Sequence, residues 1–201
     1  MDLSKDIFNI IKKQSLLRWA LSNECLILRD TNLPRVTVPP RYSTRVLLPR
    51  RSKSPIERKI TDMIDPLARK FSHINGDYLG LNAALYEAML NAYQHGNRED
   101  DSKEIILSSE ITDKKAEFFV SDNGGELDPV LGLFVLNKRL RKGNIAKGFY
   151  EFARDFSTRK PKGDNKGRGT HILHSYFDSV HYYRSENDGL IIHMKRKHHP
   201  K

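Results

Sequence analysis

From Glu87 to Gly96 the chain reads EAMLNAYQHG, and this stretch ends a predicted helix that begins near Tyr78. Within it Glu87, Asn91 and His95 recur every four residues, so an α-helix projects their side chains from one face. Gly96 and the asparagine after it indicate where the helix ends. An adjacent apolar stripe is expected to face the core: Leu81, Leu85, Ala88 and Ala92. The polar face is typical either of a solvated surface or of the wall of a site for a polar ligand.

The second informative stretch reads FFVSDNGG from Phe118 to Gly125. The apolar and aromatic residues before Asp122 predict a strand, and the two glycines after it let the backbone turn and approach a ligand closely. A carboxylate at this place can accept a hydrogen bond from an exocyclic amine such as that of adenine. An ordinary turn at the end of a strand would give the same pattern.

The third stretch reads GRGT from Gly167 to Thr170, ahead of a predicted helix that runs to about Phe177. Glycines before a helix N-terminus leave backbone N–H groups exposed at the positive end of the helix dipole, and this arrangement favours anions. Thr170 fits an N-cap position, and Arg168 fits a phosphate partner. A simple loop that leads into a helix explains the motif equally well.

In this order, the three stretches resemble the ATP-binding fold of the GHKL superfamily of ATPases. Glu87-x-x-x-Asn91 resembles its N box, Asp122-x-Gly124 its first glycine box and Gly167-x-Gly169 its second. The N box of bacterial anti-sigma-factor serine kinases typically reads E-A-x-x-N-A-x-x-H-G, and residues 87–96 match it at every fixed position. The resemblance covers about residues 45–197.

The resemblance implies ATP and Mg²⁺ as ligands. Asn91 would coordinate the Mg²⁺ ion that bridges the ATP phosphates, and Asp122 would bind the adenine amine. Glu87 would be the general base that activates a serine hydroxyl for attack on the γ-phosphate. The other nucleotide-binding residues that these boxes imply are His95, Gly124, Gly167, Arg168, Gly169 and Thr170, with residues 130–166 as a lid.

The implied function is that of an ATP-dependent serine/threonine protein kinase, similar to anti-sigma factors, in the cytoplasm. Its protein partner would be a sigma factor or an antagonist-like protein. One alternative is a histidine-kinase catalytic domain that acts on a separate partner. Another is a protein-binding module that is gated by nucleotide and transfers no phosphate. Whether the chain forms a homodimer stays open.

The expected fold class is α+β, a two-layer α/β sandwich of the GHKL (Bergerat) ATP-binding type with helices on one face of a mixed sheet. The ATP-binding domain is expected to span residues 43–201 and to begin with the order strand, helix, helix, strand, strand. Ser54 is the predicted N-cap of the first helix, and Pro55 its first residue.

Residues 1–42 are expected to form an N-terminal extension of unknown role. It combines a predicted helix near its start with strand-like runs at Cys25–Leu28 and Val36–Val38. Near the other end of the chain, Glu186–Gly189 is typical of the turn of a β-hairpin.

The net charge of +10 raises nucleic acid as a partner, so the location of that charge matters. Eleven basic residues and three acidic residues lie between Lys138 and Arg168. This segment suits either a mobile loop over phosphates or a solvated loop. No recognition-helix or base-stacking motif accompanies it, which disfavours nucleic-acid binding. The lone Cys25 excludes an internal disulfide, and the absence of a long apolar run argues against a membrane partner.

Overall fold

The computed structural model of the protein describes residues 33–51, 54–124 and 168–198. Within these residues a five-stranded sheet forms in the order β1-β2-β3-β5-β4, and each pair of neighbouring strands runs antiparallel. Apart from Arg168, the described residues belong to one compact unit that comprises Leu33–Glu126 and Gly169–Lys201. The strands are β1 (Ser43–Leu47), β2 (Ile105–Ile111), β3 (Lys115–Ser121), β4 (Ser179–Arg184) and β5 (Leu190–Lys197).

The described helices lie between β1 and β2 and before β4. The first two helices pack against each other. The chain turns between them at the C-cap of the first helix and the N-cap of the second. At the first cap, Gly76 adopts a φ of 74° and donates from its N–H to the Ser72 carbonyl. At the second, Asp77 Oδ1 accepts a hydrogen bond of 2.9 Å from the Gly80 N–H. The helices are α1 (Ile56–Asn75), α2 (Tyr78–Asn91) and α3 (Arg168–Tyr176), with a π-helical turn at Ala92–Gly96 and a 3₁₀ turn at Pro49–Arg51.

One face of the sheet packs against the helices. Arg45 in β1 donates a hydrogen bond of 3.0 Å to the Met63 carbonyl in α1. The Phe118 ring in β3 lies 6.0 Å from the ring of Phe177, which follows α3. Burying a large apolar side chain stabilises the fold by about 1.5–3 kcal/mol. The largest fully buried apolar side chains are Phe71, Phe118, Ile60, Ile64, Leu81, Leu85, Met89, Ile105, Leu107, Leu173 and Met194.

The opposite face of the sheet carries the segment Leu33–Tyr42, which we call the arm. Tyr42 packs edge-on against Phe119 of β3, with ring centroids 4.9 Å apart. Val36 and Val38 pack against the same cluster. Side chains of neighbouring strand residues point to opposite faces, so Phe119 faces away from the core that contains Phe118.

A buried carboxylate ties the end of the arm to the sheet. Glu117 of β3 accepts hydrogen bonds from the Tyr42 hydroxyl at 2.8 Å and from the ammonium groups of Lys115 at 2.7 Å and Lys195 at 2.8 Å. Burial alone would raise the pKa of Glu117, but these three donors outweigh it and hold the pKa at about 2. The carboxylate therefore stays ionised and paired, as a buried charge must.

The predicted α+β sandwich is confirmed, as are the order of its first five elements, the burial of the α2 stripe and the hairpin turn at Glu186–Gly189. The described sheet is antiparallel, however, and not mixed as expected. A parallel pairing occurs only as an isolated bridge between Arg35 and Arg184 within the described ranges. Val36–Val38 follows that bridge without forming the predicted strand.

The start of the first helix also differs from the prediction. Pro55 occupies the N-cap position of α1, no side chain caps the helix, and the first helical residue is Ile56. Ser54 therefore lies one residue too early to act as the cap. The predictions for residues 1–32 and for the lid at 130–166 fall outside the described residues. None of the described helices has the length and apolar character that a membrane span requires.

Candidate functional site

The EAMLNAYQHG stretch begins in an α-helix and ends in a wider turn. Glu87 and Asn91 lie one turn apart at the end of α2, and both side chains are partly buried. The next residues form the π-helical turn, in which the Asn97 N–H donates to the Ala92 carbonyl at 2.7 Å. The α-helical repeat therefore relates Glu87 to Asn91 but does not extend to His95, which lies exposed in the π turn.

Gly96, the residue that ends this stretch, packs directly against Asp122. A Cβ atom on Gly96 would lie 2.1 Å from Asp122 Oδ2 and 2.5 Å from Asp122 Cγ. Asp122 itself is 4% exposed, and its Oδ1 accepts hydrogen bonds from Leu190 N at 3.0 Å and from Gly124 N at 3.3 Å. The structure therefore brings the end of the first predicted motif against the carboxylate of the second, 26 residues later in the chain.

The turn after Asp122 uses the freedom of glycine, as the sequence predicted. Gly124 has a φ of 140°, a conformation that side chains rarely adopt. This turn brings the Gly124 N–H back to the Asp122 carboxylate and fixes its orientation.

Asn97, which the sequence indicates only as a helix stop, is also a residue of this site. Its side chain is fully buried. Asn97 Oδ1 accepts a hydrogen bond of 2.9 Å from the Asn123 N–H, and its Nδ2 donates one of 3.0 Å to the Glu104 carbonyl. These bonds join the π turn to the residue after Asp122. The sequence feature that could have indicated this role of Asn97 is an amide side chain at a helix end, where it can hydrogen-bond to neighbouring backbone groups.

The start of α3 lies beside Glu87. A Cβ atom on Gly169 would lie 2.1 Å from Glu87 Oε2 and 3.0 Å from its Cδ. The Glu87 carboxylate is half-buried, and burial raises its pKa above the ordinary glutamate value. No hydrogen bond or ion pair joins this carboxylate to another described residue. Among the described residues Glu87 is thus a partly desolvated carboxylate without a hydrogen-bond partner, as suits a proton acceptor.

The structure describes three of the four residues of the GRGT motif, residues 168–170. α3 begins at Arg168, so Thr170 is the third residue of the helix and not its N-cap as predicted. Gly167 lies outside the described residues. Among the described residues, Glu87 with Gly169 and Gly96 with Asp122 are therefore close contacts that join different predicted motifs.

The raised pKa of Glu87 predicts a stability effect that depends on pH. Because its pKa is higher in the folded protein than in the unfolded chain, Glu87 favours folding below its ordinary pKa of 4.5, and this contribution is lost as the pH rises through the raised value. We expect Glu87→Gln to raise the melting temperature at pH 7.5, and this gain to disappear at pH 4. Thermal unfolding of both proteins at the two pH values measures it. An equal difference at both pH values would contradict the assignment of the penalty to the buried charge.

The family comparison covers the residues that form this site. The family model of the histidine kinase-like ATPase domain matches residues 58–196. The anti-sigma F factor of Clostridium perfringens (strain SM101 / Type A) is 27% identical over 117 residues, which are 58% of this chain and 70% of that relative. The anti-sigma F factor of strain ATCC 13124 is 26% identical over a stretch of the same length and coverage. The chain therefore belongs to the family of histidine kinase-like ATPase domains, which bind ATP.

Proposed function

We propose that the protein is a regulatory serine/threonine kinase that transfers the γ-phosphate of ATP to a hydroxyl of a protein partner. The observation that carries this proposal is the half-buried Glu87 carboxylate, which has a raised pKa and lies beside Gly169 at the start of α3. The similarity to anti-sigma F factors supports a protein partner of the sigma-factor or antagonist type.

In this proposal the residues around Asp122 bind adenine, and the residues at the start of α3 bind the phosphates. Asp122 accepts a hydrogen bond from the adenine amine, and the Gly124 turn lets the base approach the backbone. Gly169 and Thr170, in the first turn of α3, present backbone N–H groups toward the phosphates. From the sequence motifs, Gly167, Arg168 and His95 are the other proposed nucleotide-binding residues.

Asn91 is the proposed magnesium ligand. Mg²⁺ usually keeps several waters and takes only one or two protein ligands together with substrate phosphates. The partly buried Asn91 amide, one helical turn from Glu87, offers an oxygen ligand of the kind that Mg²⁺ accepts. When bound, Mg²⁺ would neutralise phosphate charge.

Glu87 is the proposed general base. The serine or threonine oxygen attacks the γ-phosphorus, Glu87 takes the hydroxyl proton, and the bond between the γ-phosphorus and the bridging oxygen breaks to release ADP. The raised pKa makes the deprotonated Glu87 carboxylate a better proton acceptor than that of an exposed glutamate.

Labelled ATP tests the proposed function. The protein is incubated with ATP labelled at the γ-phosphate and with partners that it captures, and the labelled residue is identified by its stability to acid and alkali. We expect an acid-stable phosphate on serine or threonine. An acid-labile phosphate would support the histidine-kinase alternative. ATP binding without transfer to any captured partner would support the nucleotide-gated binding module.

Asp122→Asn is expected to weaken ATP binding by about tenfold, because it removes the charge from the acceptor of the adenine amine. Isothermal titration calorimetry measures the affinity. The matched control is Asp178→Asn at the other end of β5, where Asp178 Oδ2 likewise accepts a backbone hydrogen bond, from Lys197 N at 2.6 Å. The control should keep the wild-type affinity, and equal affinity in all three proteins would remove Asp122 from the site.

A further inference from the structure

The arm is bonded to the edge of the sheet next to the β4–β5 hairpin. The Val36 N–H donates to the Arg184 carbonyl at 2.9 Å, and the Arg184 N–H donates to the Pro34 carbonyl at 3.0 Å. These two bonds flank the isolated parallel bridge at Arg35. These bonds hold the arm beside the end of β4, immediately before the hairpin loop Ser185–Gly189.

The Arg35 guanidinium binds three residues of that hairpin loop. Its Nη1 donates to the Ser185 carbonyl at 3.0 Å and to the Glu186 carbonyl at 3.3 Å, and its Nη2 pairs with the Asp188 carboxylate. Thr37 donates its hydroxyl to the Glu186 carboxylate. A guanidinium that bonds two carbonyls and a carboxylate fixes the loop in direction as well as in distance.

The same loop contacts Asp122 from its other side. A Cβ atom on Gly189 would lie 1.8 Å from the Asp122 carbonyl oxygen, so the two backbones touch. The Leu190 N–H donates to Asp122 Oδ1 at 3.0 Å, and the Asp122 N–H donates to the Leu190 carbonyl at 3.1 Å. The orientation of the Asp122 carboxylate therefore depends on where the hairpin holds Leu190.

From this chain of contacts we propose that the arm positions Asp122 for nucleotide, with Arg35 as the positioning residue that acts through the β4–β5 hairpin. The proposal rests on the proposed role of Asp122 as the adenine acceptor. It gives the last part of the N-terminal extension a function. Any partner or modification that lifts the arm from the hairpin would lower the affinity for ATP.

The exposure of Arg35 separates positioning from stability. The side chains of Arg35 and Asp188 are 57% and 76% exposed, and ion pairs of this kind add little to the free energy of unfolding. Arg35→Ala should therefore fold with nearly the wild-type melting temperature. Its effect should fall on the affinity for ATP, which we expect to decrease by about fivefold or more, the usual range for coupling between two sites.

A double-mutant cycle in the 201-residue chain tests the inference. Dissociation constants for ATP and GTP are measured by calorimetry for wild type, Arg35→Ala, Asp122→Asn and the double variant. Arg35→Ala should lower the preference for ATP over GTP, because adenine presents a 6-amino donor to Asp122 where guanine has a carbonyl oxygen. In the Asp122→Asn background the same change should have almost no further effect, since its target is already altered. Arg41→Ala is the matched control, because Arg41 contacts Tyr42 in the arm and not the hairpin.

The outcomes separate this inference from the proposed function. Additive losses in the cycle, or an unchanged ATP preference in Arg35→Ala, would overturn the positioning role while the ATP site stands. An equal loss in Arg41→Ala would also overturn it, because the arm would then act on general folding. Absence of ATP binding by the wild-type protein would overturn the proposed site and this inference together.

Discussion

Glu87→Gln is expected to lower phosphoryl transfer to the partner protein by about 10²–10⁴-fold, the usual contribution of a positioned general base. Glutamine keeps the size and the hydrogen-bonding capacity of the side chain but cannot take the hydroxyl proton. ATP affinity should remain or increase slightly, because a negative charge beside the phosphates is removed. Single-turnover transfer from labelled ATP to the captured partner measures the rate, and calorimetry measures the affinity.

The pH dependence and a second variant sharpen this test. The transfer rate of the wild-type protein should rise with pH through the raised pKa of Glu87, because only the deprotonated carboxylate accepts a proton. Asn91→Ala, one helical turn away, should instead weaken magnesium-dependent ATP binding and transfer together. Transfer at the wild-type rate by Glu87→Gln would exclude Glu87 as the base.

The order of secondary structure could be predicted because it depends on local sequence. The β-branched and aromatic residues of β2 and β3 and the apolar stripe of α2 are local features that predict a strand and a helix. The hairpin turn at Glu186–Gly189 predicted the antiparallel pairing of β4 with β5, but the antiparallel pairing of the whole described sheet could not be predicted in this way. It depends on which strands meet across the sheet, and the decisive pairing of β3 with β5 joins segments far apart in the chain.

The sequence indicated the residues of the candidate site but not the contacts between them. Spacing placed Glu87 and Asn91 on one helix face, and the glycines after Asp122 predicted its turn. The contacts of Gly96 with Asp122 and of Gly169 with Glu87 join residues from different motifs, and no local pattern specifies them. The π turn, in which the Asn97 N–H donates to the Ala92 carbonyl, also interrupts the α-helical repeat before His95.

The arm is another segment whose backbone pairing could not be predicted from local sequence. Val36 and Val38 have the alternation of a strand, and their apolar side chains do pack against the sheet, around Phe119. A strand would require a continuous ladder of backbone bonds, and the described arm forms one isolated bridge. Glu117 is equally unpredictable, because a charged residue in a strand is expected at the surface until its partners Lys115 and Lys195 are known to converge on it.

Gly96→Ala is expected to weaken ATP binding by about 10- to 100-fold, because forcing a methyl group into a packed site costs about 1–3 kcal/mol. The added Cβ would lie 2.1 Å from Asp122 Oδ2 and 2.8 Å from Asp122 Cβ. Asp122 cannot move aside cheaply, since its Oδ1 is bonded to Leu190 N and its backbone is bonded within the sheet. Either the carboxylate leaves the position proposed for adenine recognition or the π turn shifts with Asn91 at its start.

The matched control for this prediction is Gly80→Ala in α2. A Cβ atom there would also be crowded, at 2.5 Å from the Tyr176 ring and 2.7 Å from Asp77 Oδ2, but none of these residues belongs to the proposed ATP site. Chemical denaturation should therefore record a loss of stability in both variants, whereas calorimetry should record a loss of ATP affinity in Gly96→Ala alone. Equal affinity losses in the two variants would mean that crowding acts through global stability. An unchanged affinity in a folded Gly96→Ala protein would mean that the contact between the π turn and Asp122 does not shape the nucleotide site.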